Sequence, residues 1–152
     1  MNKVMIGTVG LLFLAASPVF ANPSTDSAAQ AEAKTYNSIP YASGGFGADE
    51  RANLRAMNRT DNLELSFALK NKDYLSGADV IIRDDQGKEI LKAPSDGPLF
   101  FTKLPEGKYT VTATTLGRTL TRDVEVPNKG QARLYFTWKE PSASAAATLA
   151  KK

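Results

Sequence analysis

The stretch Leu104 to Trp138, LPEGKYTVTATTLGRTLTRDVEVPNKGQARLYFTW, holds three apolar-alternating runs separated by short turn signals. In the first run Tyr109, Val111 and Ala113 share one face of a strand, and Lys108, Thr110, Thr112 and Thr114 share the other. Pro105-Glu106-Gly107 supplies the turn before it, because proline presets φ at one corner and glycine tolerates positive φ two places on. A hairpin at Leu116-Gly117-Arg118 leads into Thr119 to Val126, where Leu120, Val124 and Val126 align with the misfit Arg122. A charge on a core face is costly, so Arg122 is expected at a sheet edge or snorkelling past the rim. Pro127 and Asn128-Lys129-Gly130 end that run, and the last one turns Ala132, Leu134, Phe136 and Trp138 inward and Arg133, Tyr135 and Thr137 outward. These three runs predict an antiparallel meander.

Working towards the N-terminus, Leu63, Leu65, Phe67 and Leu69 give the cleanest period of two, and Lys70-Asn71-Lys72-Asp73-Tyr74 breaks it. Ala78, Val80 and Ile82 resume it, and the Asp85-Gln86-Gly87 turn leads to a short run from Glu89 to Ala93. Leu99 to Lys103 makes another strand, in which adjacent Phe100 and Phe101 must point to opposite faces, so one needs a cover. Strand starts near residues 63, 78, 89, 99, 108, 119 and 132 predict an all-β, seven-strand antiparallel β-sandwich occupying residues 63–138. Ala48 to Arg59 is the one convincing helix, with Asp49 and Glu50 at its start, Arg55 and Arg59 at its end, and an apolar stripe of Ala52, Leu54, Ala56 and Met57. It is expected to cap the sandwich from one side. The helix and the preceding aromatic and glycine-rich arm, which contains Tyr36, Ile39, Tyr41 and Phe46, make up residues 35–62. A Gly-Gly-Phe-Gly loop before a helix could cradle a phosphate, but no strand precedes the glycines and no G-K-[ST] follows, so the loop reads as a bend.

At the chain start, Lys3, the apolar run Val4 to Ala16 and Val19-Phe20-Ala21 form a secretory leader over residues 1–21, with cleavage expected between Ala21 and Asn22. The apolar run is shorter than the roughly 20 residues of a spanning helix, so no membrane span is expected after its removal. Residues 22–34 are small and polar, cannot repay the entropy of ordering, and read as a disordered linker; residues 139–152, beginning Lys139-Glu140-Pro141, read as a disordered tail. A periplasmic or secreted location follows from the leader.

Composition excludes more chemistry than it suggests. The chain has no cysteine and no histidine, which removes disulfide stapling, a thiol nucleophile, the commonest general base and the usual zinc or haem ligand. Asp61, Asp84 and Asp85 could only offer calcium chemistry, and turn aspartates usually bond the backbone instead. No metal or cofactor is expected. Of 19 basic and 16 acidic side chains only Lys3 lies in the leader, so the mature net charge is about +2. The charges interleave, as in Arg83-Asp84-Asp85 and Arg122-Asp123, and no nucleic-acid partner is expected.

Gly77-Ala78-Asp79-Val80, the Asp85-Gln86-Gly87-Lys88 turn, Phe101 before Leu104, and Leu104-Pro105-Glu106-Gly107-Lys108-Tyr109-Thr110-Val111 together resemble a carboxypeptidase regulatory-like domain, a transthyretin/prealbumin-like sandwich. Tyr41 to Arg51, with Lys129 to Leu134, is similar to a group of exported proteobacterial proteins that brings no activity to transfer. Relatives with chemistry depart from this chain. The transthyretin-like hydroxyisourate hydrolases use histidines and a C-terminal tyrosine-arginine-glycine-serine motif, whereas this chain ends Ala-Lys-Lys. The missing chemistry, rather than any positive motif, favours a non-enzymatic module that binds an envelope protein or glycan; its candidate contact residues are Tyr135, outward by alternation, and Tyr36, Tyr41 and Phe46 in the arm. The competing reading is a histidine-free hydrolase or lyase that uses a carboxylate pair. The leader makes a direct prediction: intact-mass analysis of the envelope fraction should return a chain that begins at Asn22, and a full-length product retained in the membrane would reject it.

Overall fold

The computed structural model describes residues 33–141, so the leader with its Ala21-Asn22 junction lies outside the described residues, as do all but the last residues of the linker and the first of the tail. Among the described residues there are nine strands: β1 (Lys34–Tyr36), β2 (Ile39–Gly44), β3 (Leu63–Leu69), β4 (Asp79–Asp84), β5 (Glu89–Pro94), β6 (Leu99–Thr102), β7 (Gly107–Thr115), β8 (Arg118–Val126) and β9 (Ala132–Trp138). One helix, α1 (Ala48–Met57), lies between β2 and β3. The strands form two facing sheets, β1-β2-β6-β3-β9 and β5-β4-β7-β8. The fold is an all-β sandwich, but with nine strands rather than seven and with the helix inside the strand order rather than before it.

The two additional strands come from the arm. Asn37 and Ser38 both take positive φ (49° and 66°), the geometry of a two-residue hairpin turn whose twist matches its strands. Tyr36 thereby pairs with Ile39 and Lys34 with Tyr41, so Lys34 belongs to β1 and not to a linker. Pro40 is tolerated because β2 lies next to the short edge strand β1, where few ladder bonds are lost. β2 then pairs with β6 from Tyr41↔Thr102 to Gly44↔Leu99.

The meander is also corrected. β7 and β8 form an antiparallel hairpin through Leu116 and Gly117, but β9 leaves that sheet and pairs parallel with β3, Leu63 opposite Ala132 through Leu69 opposite Trp138. Buried Asn62 directs this crossing. Its Nδ2 donates to Leu104 O (2.6 Å), its Oδ1 accepts Leu104 N (2.9 Å), and its backbone O accepts Ala132 N (2.9 Å). The side chain thus substitutes for a strand partner at the β6–β7 corner while its backbone sets the first rung of the β3–β9 ladder.

Between the sheets lie Leu65, Phe67, Val80, Ile82, Phe100, Val111, Phe136 and Trp138, all nearly inaccessible. Trp138 packs 6.1 Å from Phe67 and 6.0 Å from Phe136, and its Nε1 donates to Arg118 O (3.3 Å). Arg122 is at a sheet edge as expected, on β8, with its guanidinium 5.7 Å from the Phe136 ring. Phe100 enters the main core, whereas Phe101 points to the outer face and forms a second cluster with Leu99 and Leu54 of α1. The helix provides the cover that the adjacent phenylalanines require. Its stripe is narrower than the sequence suggests, since Leu54 alone is buried and Met57 remains 61 % exposed.

Asn62→Ala should leave Leu104 N–H and C=O without partners in a dry site, costing about 1 to 3 kcal/mol for each group that water cannot reach. Urea unfolding will measure it, and a loss below about 0.5 kcal/mol would mean that Asn62 does not hold the corner.

Candidate functional site

The four aromatic residues singled out in the sequence do not converge. Tyr41 stacks on Phe100 with centroids 5.3 Å apart and planes 10° from parallel, so it lines the core rim. Tyr36 packs against the same core, and its Oη donates to Glu89 Oε1 across to the other sheet (3.2 Å). Partial burial first, then the Glu89 carboxylate, raises the phenol pKa. Phe46 is 68 % exposed on the loop before α1, and Tyr135 is 61 % exposed on β9. Three strand steps, about 14 Å, separate β2 from β9 in the sheet, so these residues make no single patch.

The Gly-rich loop is already occupied. Gly45 N and Phe46 N each donate to the Glu50 carboxylate (3.0 Å), and Arg51 Nη1 donates to Gly45 O (3.0 Å) and Phe46 O (3.2 Å). The anion held by the loop amides is the chain's own Glu50.

Tyr135 instead belongs to a groove on the outer face of the five-stranded sheet, beside α1. The β3–β9 register creates it: Ser66 lies opposite Tyr135 and Ala68 opposite Thr137, so small side chains leave a trough of about 440 Å³ next to an exposed ring. Arg55, Lys70, Lys72 and Tyr74 complete its walls, and no carboxylate lines it. Tyr74 was masked in the sequence by the apparent break at 70–74. Leu69 N donates to Asp73 O (2.7 Å) and Leu75 N to Phe67 O (3.1 Å), which folds that segment against β3 and brings Tyr74 opposite Ala68. The Tyr74 ring is 54 % exposed, and the Arg51 guanidinium lies 4.2 Å from its centroid.

Next to the groove, a second hollow of about 410 Å³ is lined by Arg55, Arg59, Arg133 and Gln131. Beneath it lies Glu64, which alternation would leave in solvent but which is 2 % exposed. Glu64 and Arg133 are direct register partners, and α1 closes over them from the other side. Arg55 Nε donates to Glu64 Oε1 (2.9 Å), and Arg133 Nε lies 3.1 Å from Oε2. That second approach is off-line, so Oε2 has ion pairing without a formed hydrogen bond. The clustering corrects the expectation of dispersed charge, because Arg51, Arg55, Arg59, Arg133, Lys70 and Lys72 gather around one face.

The opposite sheet carries a cleft of about 390 Å³ lined by Asp85, Asp123 and Glu125 together with Lys108 and the edge of Tyr109, acidic on balance. Burial, then Asp84 and Asp85, raises the Tyr109 phenol, whose Oη donates to Pro105 O (2.7 Å). Asp123 accepts from Thr110 Oγ1 (2.8 Å), and Asp84 Oδ1 accepts Gln86 N (3.0 Å) and Lys88 N (2.9 Å), a turn aspartate bonding its own backbone. Among the described residues no three His, Cys, Asp or Glu side chains converge as a metal site, and no helix is long and apolar enough to cross a membrane.

No protein-family profile matches the chain, and no curated protein is similar to it in sequence. Among solved structures, the 5-hydroxyisourate hydrolase of Klebsiella pneumoniae is similar over 53 % of this chain and 86 % of its own length, with 17 % identity and a TM-score of 0.44. The architecture rests on the strand order and register above.

Asp61, at the end of the helical turn beside the arginine hollow, has its carboxyl raised by burial, against an opposing pull from Lys103. A raised folded value means that its contribution is complete below the unfolded aspartate value of about 3.9 and is lost as pH rises through the folded value. Asp61→Asn should therefore gain stability relative to the parent as pH climbs from about 3 to 7, read as diverging urea midpoints. A pH-independent gap between the two proteins would show that the carboxyl is not desolvated.

Proposed function

We propose that this chain is a non-enzymatic, exported binding module of the carboxypeptidase regulatory-like type, which engages an anionic glycan or acidic protein segment of the cell envelope. The observation that supports the reading is the groove beside α1, where exposed Tyr135 and Tyr74 are framed by Arg55, Lys70 and Lys72 with no lining carboxylate. Rings with one open face and nearby cations favour a partner that is flat or extended and negatively charged. The groove is open along the sheet, which suits a chain-like ligand better than a small enclosed substrate. The sequence supports export through its leader and disfavours the commonest catalysts through its lack of histidine and cysteine.

The acidic cleft at Asp85, Asp123 and Glu125 is the observation that favours the second reading, a carboxylate-dependent hydrolase or lyase. Its requirement is a carboxyl held protonated next to an ionised one.

Immobilised mature protein should retain acidic glycans or an acidic envelope protein, and not neutral glycans, with retention that falls steeply with salt. Tyr135→Ala with Lys72→Glu should weaken retention at least about tenfold, the loss of one aromatic anchor and one steering charge, without moving the unfolding midpoint. Retention unchanged in that variant would remove the groove from the binding surface. Turnover of any envelope glycan or peptide, abolished by Asp123→Asn, would transfer the function to the acidic cleft.

A further inference from the structure

We infer that Arg55, Arg59 and Arg133 form a pre-oriented site for a single anionic group, a carboxylate, phosphate or sulfate, with buried Glu64 as its positioning residue. The inference deepens the proposed function and rests on that reading for the larger ligand that would carry the group. The site itself lies in the hollow next to the groove and shares only Arg55 with it.

Four features converge on an anion. Each of the three guanidinium groups has its Nε engaged by the chain itself: Arg55 on Glu64 Oε1 (2.9 Å), Arg133 beside Glu64 Oε2 (3.1 Å), and Arg59, at the surface, on Ala56 O (3.2 Å). Among the described residues no hydrogen bond is formed by the Nη groups of these three, so two paired donors on each remain for a ligand. A planar fork whose inner N–H is fixed is the arrangement that favours bidentate binding of carboxylate, phosphate or sulfate oxygens.

Second, the charges do not cancel. The buried Glu64 carboxylate is ion-paired with Arg55 and Arg133, Arg59 adds a third guanidinium turned to its own helix, and no carboxylate is among the residues that line the hollow. Third, the wall is braced by Gln131, whose Nε2 donates to Asp61 O (3.2 Å) and more loosely to Asn58 O (3.5 Å), while its Oε1 accepts from Arg133 Nε (3.4 Å). Fourth, the negative end of the α1 dipole, which would repel an anion, is met in part by donors of the chain itself. Leu54 O accepts both Asn58 N (3.0 Å) and Asn58 Nδ2 (2.8 Å), and Ala56 O accepts Arg59 Nε.

A purely structural role for Glu64 is the competing account. A buried ion pair is a poor way to stabilise a sheet face, since an apolar residue of similar volume would do as well or better. What the carboxylate adds is direction: it holds the Arg55 guanidinium by a hydrogen bond and draws in that of Arg133 by ion pairing, two groups contributed by elements 78 residues apart in sequence, counting from Arg55 to Arg133.

The test uses the arginine Nε–Hε signals of the mature protein, followed by NMR at low ionic strength during titration with inorganic phosphate, sulfate and acetate. Saturable shifts of the Arg55 and Arg133 signals are expected, with affinity reduced at least about tenfold in Arg133→Gln and in Arg59→Gln and unchanged in Arg118→Gln, which alters an exposed arginine on β8. Linear shifts without saturation, or equal affinity in Arg133→Gln and the parent, would overturn the site. In Glu64→Gln the Arg55 and Arg133 signals should lose their dispersion while that of Arg118 stays; retained dispersion would overturn the positioning role. Competition of phosphate by galacturonate would assign the anionic group to a glycan, and saturation by phosphate without such competition would assign a free or phosphoryl anion. Saturation by phosphate with no retention of acidic partners would defeat only the proposed function, and retention that Arg59→Gln leaves intact would defeat only this inference.

Discussion

The Asn62 side chain is the joint on which the sandwich depends. It occupies the position where a strand partner would be, bonding both the N–H and the C=O of Leu104, and it reaches towards Pro127 O (3.4 Å) at the corner between β8 and β9. Three chain segments far apart in sequence therefore meet on one amide. Buried backbone groups at corners are expensive when unpaired, and the asparagine amide carries its donor and its acceptor on separate atoms, so it can pair with an N–H and a C=O of one residue together, as a strand partner does. With the corner closed in this way, β9 enters the five-stranded sheet rather than continuing the β7–β8 hairpin, and its first rung is the bond from Ala132 N to Asn62 O.

That single topological choice produces the functional face. Parallel pairing of β3 with β9 puts Glu64 opposite Arg133, Ser66 opposite Tyr135 and Ala68 opposite Thr137. The same register thus buries an anion under two arginines at one end of the face and leaves a trough beside an exposed ring at the other. The apolar contact of α1 is confined to Leu99 and Phe101, because Leu54 is its sole deeply buried side chain, and so the sheet face beside Tyr135 stays open. A wider apolar stripe on the helix would have sealed the groove.

The two faces of the molecule differ in sign for a related reason. On the β7–β8 side, outward positions hold threonine pairs, Thr112 with Thr121 (3.3 Å) and Thr114 with Thr119 (2.8 Å), and the carboxylates of Asp123 and Glu125. On the α1 side, arginines of the helix and β9 pair with one buried carboxylate, and lysines of the 70–74 turn line the adjoining groove. A net charge near neutrality conceals this polarity, which is a property of positions and not of totals.

Much of this architecture was legible in the residues themselves. A period of two is imposed by the pleat, so runs such as Leu63 to Leu69 and Ala132 to Trp138 declare strands and their inward faces without reference to any partner. Arg122 at an edge, Trp138 in the core and a cover over one of Phe100 and Phe101 all follow from the cost of placing a side chain on the wrong face. The arm was less legible, because Pro40 and the glycines conceal two strands whose turn, Asn37-Ser38, needs positive φ at residues other than glycine. Strand partnership was legible only across tight turns, as in the β4–β5 and β7–β8 hairpins. Which strand β9 joins is decided by non-local bonds at Asn62, and the convergence of Arg55, Arg59, Arg133, Tyr74 and Tyr135 on one face exists only after that choice is made. The sequence by itself determined the strands, their faces and the chemistry that is missing, since these depend on each residue and its near neighbours; the tertiary structure alone decided the long-range pairing, the burial of Glu64 and the place where a ligand can bind, since these depend on contacts between residues distant along the chain.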